Sequence, residues 1–226
     1  MNYGQYLVPL LIGKKQGHNH YTLDRYAGVA FYINKKGTLA TCKHIVESVN
    51  SDEVLLGKNL ASNEIDIISD ITKHPDKDFA ICQFNKCNQS QTFRLDNTVF
   101  SPGEDLQAFG FTSNGKNGAN VKVDARLFKG YIVRTSDKPL TSDSNSTLEI
   151  SFPSHKGFSG APIVNTRNVL VGMLFSNYES TIEQHSFTEV DDEGNKFKES
   201  IHKVFELGIA HSNLDIKKFL ADLGIS

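Results

Sequence analysis

Several features that would narrow a protein's role are missing from this chain of 226 residues. It has no excess of one charge. Net charge is −2, so no general positive field draws it to nucleic acid or anionic lipid. It has no apolar run of about 18 residues or more, so no helix is expected to span a bilayer. The short apolar run in "MNYGQYLVPLLIGKK" has neither a basic leader before it nor a small-residue cleavage site after it, and no secretory signal is read there. Cysteine is scarce. Cys42, Cys82 and Cys87 are an odd set without framework spacing, which suits free thiols in a reducing cytoplasm. Repeats and low-complexity tracts are absent as well. Hydrophobic content of 38% and charged content of 22% describe an ordinary globule able to bury a core.

Short strand-like runs make up most of what is present. "GVAFYI" and "TLAT" flank the turn sequence "NKKG", a hairpin pattern. "EVLL", "EIDIIS" and "DFAICQF" follow, and then a polar stretch, "NKCNQSQ", suited to joining two lobes. The second half continues with "DLQAFGF", "VKVDARL", "GYIVRT", "TLEISF", "APIVN", "VLVGMLF" and "VFELGIA". About a dozen short strands without intervening long helices predict an all-β barrel or sandwich, not a doubly wound sheet. One helix is expected at the end, over about residues 213–224. Ser212 can cap it with Asp215 three positions on. Ile216, Phe219, Leu220 and Leu223 form one apolar stripe to dock on the preceding lobe, and Gly224 suits its end.

One segment asks for chemistry. In "FPSHKGFSGAPIVN", Ser159 stands between glycines and ahead of an apolar strand. A serine hydroxyl attacks only when a base takes its proton, and a histidine oriented by a carboxylate is the usual base. His44, in "TLATCKHIVES", follows one apolar strand, and Asp78, in "HPDKDFAICQF", precedes another. Gly157 can take a backbone conformation that turns its N–H, together with that of Ser159, toward one point where an oxyanion would form.

"TCKHIV", "DFAICQF" and "GFSGAPIVN…VLVGML" resemble the signature segments of the chymotrypsin-like (trypsin-fold) serine proteases, nearest in style to the compact bacterial HtrA-type protease domain without its PDZ module. The likeness extends over about residues 1–224. It implies two six-stranded antiparallel β-barrels with a C-terminal α-helix: one lobe over about 1–90, a second over about 100–212, and a single peptidase domain over 1–226. It implies His44 as general base, Asp78 as its orienting partner, Ser159 as nucleophile, and Gly157 with Ser159 as the oxyanion hole. Pro153 would lie at the specificity-pocket floor, and Phe175, Ser176 and Asn177 along one wall. No carboxylate falls at the floor, so preference for Lys or Arg is not expected. Phe158 stands where many members carry an aspartate that meets a freed N-terminus, and Cys42 where alanine is usual.

The expected function is a serine endopeptidase working through an acyl-enzyme on protein or peptide substrates, with no cofactor and no metal, in the cytoplasm. Its alternative is a protease-fold binding or effector module, latent until a regulatory protein orders its loops. The Gly-rich "TSNGKNGAN" is the expected mobile loop. An esterase of the α/β-hydrolase type would need an acid and a histidine after Ser159, such as Asp191 or Asp215 with His202 or His211. It would also need a strand-to-helix turn at the serine, where "APIVN" reads as a strand. Outside the triad, His18 and His20 read as a solvated loop before a metal pair, and His74 as exposed. His155 is a candidate for the cleft wall, and "VDDEGNKFKES" a charged loop or hairpin tip.

Overall fold

The computed structural model describes residues 3–16, 21–87, 90–117, 120–136, 148–191 and 193–225. His18 and His20 lie outside the described residues. Alternating and fully apolar runs close into two antiparallel barrels. The first contains β1 (Leu7–Lys15), β2 (Tyr21–Tyr32), β3 (Thr38–Thr41), β4 (Glu53–Lys58), β5 (Ile65–Lys73) and β6 (Ala80–Phe84), in the spatial order β1-β2-β3-β6-β5-β4. The second contains β7 (Asp105–Asn117), β8 (Asn120–Thr135), β9 (Leu148–Ile150), β10 (Pro162–Asn165), β11 (Leu170–Val190) and β12 (Lys196–Ser212), in the order β10-β11-β12-β9-β8-β7. A five-residue helix α1 (Lys43–Glu47) follows β3, and α2 (Asn213–Asp222) follows β12. Among the described residues no helix is long and apolar enough to cross a membrane.

Inward-facing residues of both barrels belong to one continuous apolar cluster, from Leu10, Phe31, Leu39 and Phe84 to Ile132, Ile163, Leu174 and Ile209. Each fully buried side chain of this size contributes about 1.5–3 kcal/mol. The shared core fixes the seam between the barrels, where α1 and the Ser159 loop meet.

Two elements differ from expectation. "VKVDARL" and "GYIVRT" belong to one strand, β8, which pairs with β7 along most of its length. Most of the Gly-rich stretch is strand, not loop, because Thr112–Asn117 completes β7. The charged segment that ends β11 and begins β12 is a hairpin tip, one of its two expected forms, with the last pair of the ladder at Val190 and Lys196.

The C-terminal helix begins as its sequence predicts, with the Ser212 hydroxyl accepting the Asp215 N–H at 3.2 Å. Leu223 falls past the helix and is exposed. The apolar stripe reaches the first barrel as well as the second. Phe219 meets Phe79 edge-on at 5.3 Å and stacks obliquely on His74 at 4.7 Å. Asp215 pairs with Lys77. The helix therefore holds the turn that carries Asp78.

Candidate active site

His44 is the second residue of α1, so its backbone N–H has no acceptor within the helix. Asp78 provides one, with Oδ1 accepting that N–H at 2.8 Å. The other oxygen, Oδ2, lies 2.5 Å from His44 Nδ1. One carboxylate thus caps the helix and orients the ring it carries. Burial alone would push the Asp78 carboxyl up. The hydrogen bonds and charge of His44 outweigh burial and hold it below the usual carboxylate range. An ionised carboxylate only accepts, so Nδ1 of the half-exposed ring carries a proton, and in the neutral tautomer this pairing selects, Nε2 holds the lone pair.

Asp78 is itself supported from beneath. His74 Nδ1 accepts the N–H groups of Asp76 and Lys77, both at 3.1 Å, and shapes the turn. Lys43 Nζ donates to the His74 and Pro75 carbonyls. His211, on β12, reaches across the seam and places Nε2 3.0 Å from the Asp78 carbonyl. Its ring is buried and stacked on Phe175 at 4.2 Å. Burial holds the imidazole down to about 4, so it is neutral and donates through Nε2. His74 is thus a structural, partly buried residue and not an exposed one. Sequence reasoning missed the supporting role of His211. Its only signal was a histidine set among the apolar residues of "GIAHS".

Ser159 reaches the seam through close backbone approaches. Its carbonyl accepts the Val29 N–H of β2 at 2.9 Å. A side chain at Gly28 would meet that carbonyl at 2.9 Å and Ile45 of α1 at 2.4 Å. A Cβ at Gly160 would fall 2.0 Å from the Val29 carbonyl. Any larger residue at either glycine would force the serine loop away from the first barrel.

The loop before the serine forms a tight turn, closed by the Phe158 N–H on the His155 carbonyl at 2.8 Å. Gly157 has φ +95°, whereas Lys156 is not among the residues with positive φ. That combination is a type II turn, with glycine where a positive φ is required. The Tyr26 hydroxyl donates to the Gly157 carbonyl at 2.8 Å and pins the following peptide. The N–H groups of Phe158, Gly160 and Ala161 are all taken up by backbone carbonyls. Those of Gly157 and Ser159 donate to no acceptor among the described residues.

Phe158 is fully buried, edge-on to Phe128 at 4.9 Å and against Gly110, where a Cβ would come within 3.0 Å of its ring. The loop is anchored by apolar packing, so it needs no ion pair at this position.

Of the remaining predicted residues, Asn177 ties to Ser154, accepting its N–H at 2.5 Å and donating to its carbonyl at 2.9 Å. Phe175 is buried with its ring on His211, beneath Asp78. Pro153 and Ser176 are half-buried beside these two. His155 is exposed and stacks on Phe128 at 4.8 Å.

Cys42, His44 and Asp78 lie close enough together that their donor atoms span no more than 4.8 Å. They are a poor metal set. Burial, helped by the Asp78 charge, pushes the Cys42 thiol well up, so it stays protonated, and its sulfur points to the Leu174 carbonyl at 3.3 Å. A metal here would also break the His44–Asp78 pair.

A family model for the trypsin-like peptidase domain matches residues 28–173. That span takes in His44, Asp78 and Ser159. Comparison with curated proteins gives no match.

Proposed function

The chain belongs to the trypsin-like peptidase domain family, and from that premise we propose that it is a serine endopeptidase acting on protein or peptide substrates. The observation that carries this reading is the double hold of Asp78 on His44, through backbone N–H and Nδ1 together. It leaves Nε2 to serve as the base. Ser159 Oγ attacks the scissile carbonyl carbon while Nε2 accepts its proton. The carbonyl oxygen gains negative charge and receives the two N–H groups of Gly157 and Ser159. Collapse of the tetrahedral adduct breaks the C–N bond, and the imidazolium returns its proton to the departing amine. Water, activated by the same ring, then hydrolyses the acyl-enzyme and restores Ser159.

Pro153, Ser154, Ser176 and Asn177 form the rim proposed to receive the side chain before the scissile bond. No carboxylate lies in that set, so a small or apolar side chain is favoured over Lys or Arg. Packing of Phe158 supports a loop that is set without cleavage of an N-terminal segment. The free thiols of Cys42, Cys82 and Cys87 support a reducing, cytoplasmic setting.

The test is labelling by a fluorophosphonate probe followed by peptide-library cleavage. The wild type should be labelled and Ser159→Ala should not. Equal labelling of both would overturn the nucleophile assignment. Labelling without cleavage of any library peptide would favour a latent module over an active peptidase.

A further inference from the structure

The β11–β12 hairpin continues well past the barrel. Strand β9 pairs with β12 only at Gly208–Ala210, and β10 pairs with β11 only at Leu170–Met173. Among the described residues, the two strands pair with each other alone from Tyr178 to Glu189 and from Phe197 to Leu207. Cross-strand partners share a face. The register therefore sorts the ribbon into two faces.

One face carries Tyr178, Ile182, Phe187, Phe197, Ile201 and Phe205. These large apolar side chains are exposed by between 41% (Phe187) and 55% (Phe197). The Lys203 ammonium lies over the Phe205 ring at 4.8 Å, in keeping with a common face. The other face carries Glu179, Thr181, Glu183, Lys196, Lys198, His202 and Glu206, with Val204 as its one exposed large apolar residue among those described.

The apolar face exists only because of an irregularity. Ile182 and Phe187 are five residues apart, so simple alternation would put them on opposite faces. A bulge between Glu183 and His185 inserts Gln184 and restores the phase. At about 100 Å² of exposed surface for each side chain, the six offer about 600 Å² per copy. That is about the upper end for the largest apolar patch of a typical monomer, and it approaches the roughly 800 Å² per partner of a stable interface.

The same register identifies the partner. Rows on this face run Ser180–Phe205, Ile182–Lys203, His185–Ile201, Phe187 with position 199, and Glu189–Phe197. Suppose a second copy is laid on it by a two-fold axis crossing the ribbon at the His185–Ile201 row. Then β12 covers β12 with direction reversed. Phe205 meets Phe197 of the second copy, Ile182 meets Phe187 of the second copy, and Ile201 meets its own counterpart. Each ribbon tip stops near the Tyr178–Leu207 row of the other copy, short of its barrel. The parallel alternative would set Ile182 on Lys203 and Phe197 on Glu189. A face that matches itself under one two-fold, and not under the other, has the pattern of an isologous contact.

We infer that this chain forms a homodimer through the apolar face of its β11–β12 ribbon, with the two ribbons antiparallel. Sedimentation velocity of the full chain from about 1 to about 100 µM tests it. A reversible dimer is expected. Ile201→Glu, which puts two carboxylates on the axis, should weaken it at least about 100-fold. Val204→Glu, equally exposed on the opposite face, should leave it intact. Ile201→Cys should be cross-linked to its counterpart by a short bis-maleimide that spans the gap of about 10 Å between facing ribbons, and Val204→Cys should not. Deleting Gln184, which turns Phe187 away, should weaken the dimer as well.

A wild type that sediments as a monomer at the highest concentration overturns the proposal, whether it binds nothing, another protein or lipid vesicles. So does a dimer indifferent to Ile201→Glu, or one equally sensitive to Val204→Glu. Circular dichroism and thermal unfolding of each variant check folding without reference to activity, so failure of the peptidase reading remains distinguishable.

Discussion

Asp78 grips His44 twice, by the backbone N–H at 2.8 Å and by the ring at 2.5 Å. One residue is therefore both the N-terminal cap of α1 and the partner of its imidazole. Position and orientation of the imidazole are set by a single carboxylate.

Asp78→Asn separates these two jobs. An amide oxygen can still accept the His44 N–H and hold the helix, but its NH₂ group turns the ring into the wrong tautomer. Turnover should fall about 10⁴-fold with substrate affinity and melting temperature nearly unchanged. Steady-state kinetics beside thermal unfolding checks both halves. A loss of only a few-fold would mean the ring is oriented by something else.

Gly157→Ala should disable the turn. Its φ of +95° disfavours a side chain, and the added Cβ would sit 2.6 Å from the Tyr26 ring. Loss of one oxyanion donor predicts a drop in kcat of about 10²–10³-fold. Tyr26→Phe removes only the hydroxyl that pins Gly157, so a loss nearer fivefold is expected, for one hydrogen bond of about 1 kcal/mol. Equal effects of the two variants would show that the hydroxyl, not the backbone conformation, governs the site.

Phe158→Ala should cost about 3–5 kcal/mol in chemical denaturation, because a fully buried ring leaves a cavity against Phe128 and Gly110. Phe158→Asp should do no better, since the side chain packs on Phe128 and Gly110 and an unpaired charge would be buried among them. Stability of Phe158→Asp at the wild-type level would point to an ion pair formed in its place.

His211 makes stability depend on pH. Its folded value of about 4 lies below the ordinary value of about 6.5, so between them the unfolded chain binds a proton that the folded chain refuses. Its share of stability is complete above about pH 6.5 and is lost as pH falls toward about 4. Denaturation curves across that interval should flatten in His211→Gln relative to wild type. An unchanged slope would assign the pH dependence to other groups.

The candidate site residues stand out in the sequence because each sits at the end of an apolar run. "TLAT" leads to His44, "FAICQF" follows Asp78 and "APIVN" follows Ser159. Ser212 and Asp215 likewise announced the start of α2. The docking partners of α2 were not legible, since an apolar stripe does not say which barrel it will meet. Nor was the ribbon. Its alternation, clear from Tyr178 to Ile182, is shifted by the bulge at Gln184 and diluted by charges, so "YESTIEQHSFTEV" shows no single period. Only the pairing register restores the pattern. Phe158 showed as a departure from its family, and packing against Phe128 supplies the reason.

The supports beneath Asp78 have a consequence for synthesis on the ribosome. His211, Asp215 and Phe219 brace a turn that is translated more than a hundred residues before them. A nascent chain that has already emerged with its histidine, aspartate and serine still lacks that brace. On the peptidase reading, competence to cut should therefore arise only once that helix has left the ribosome and docked.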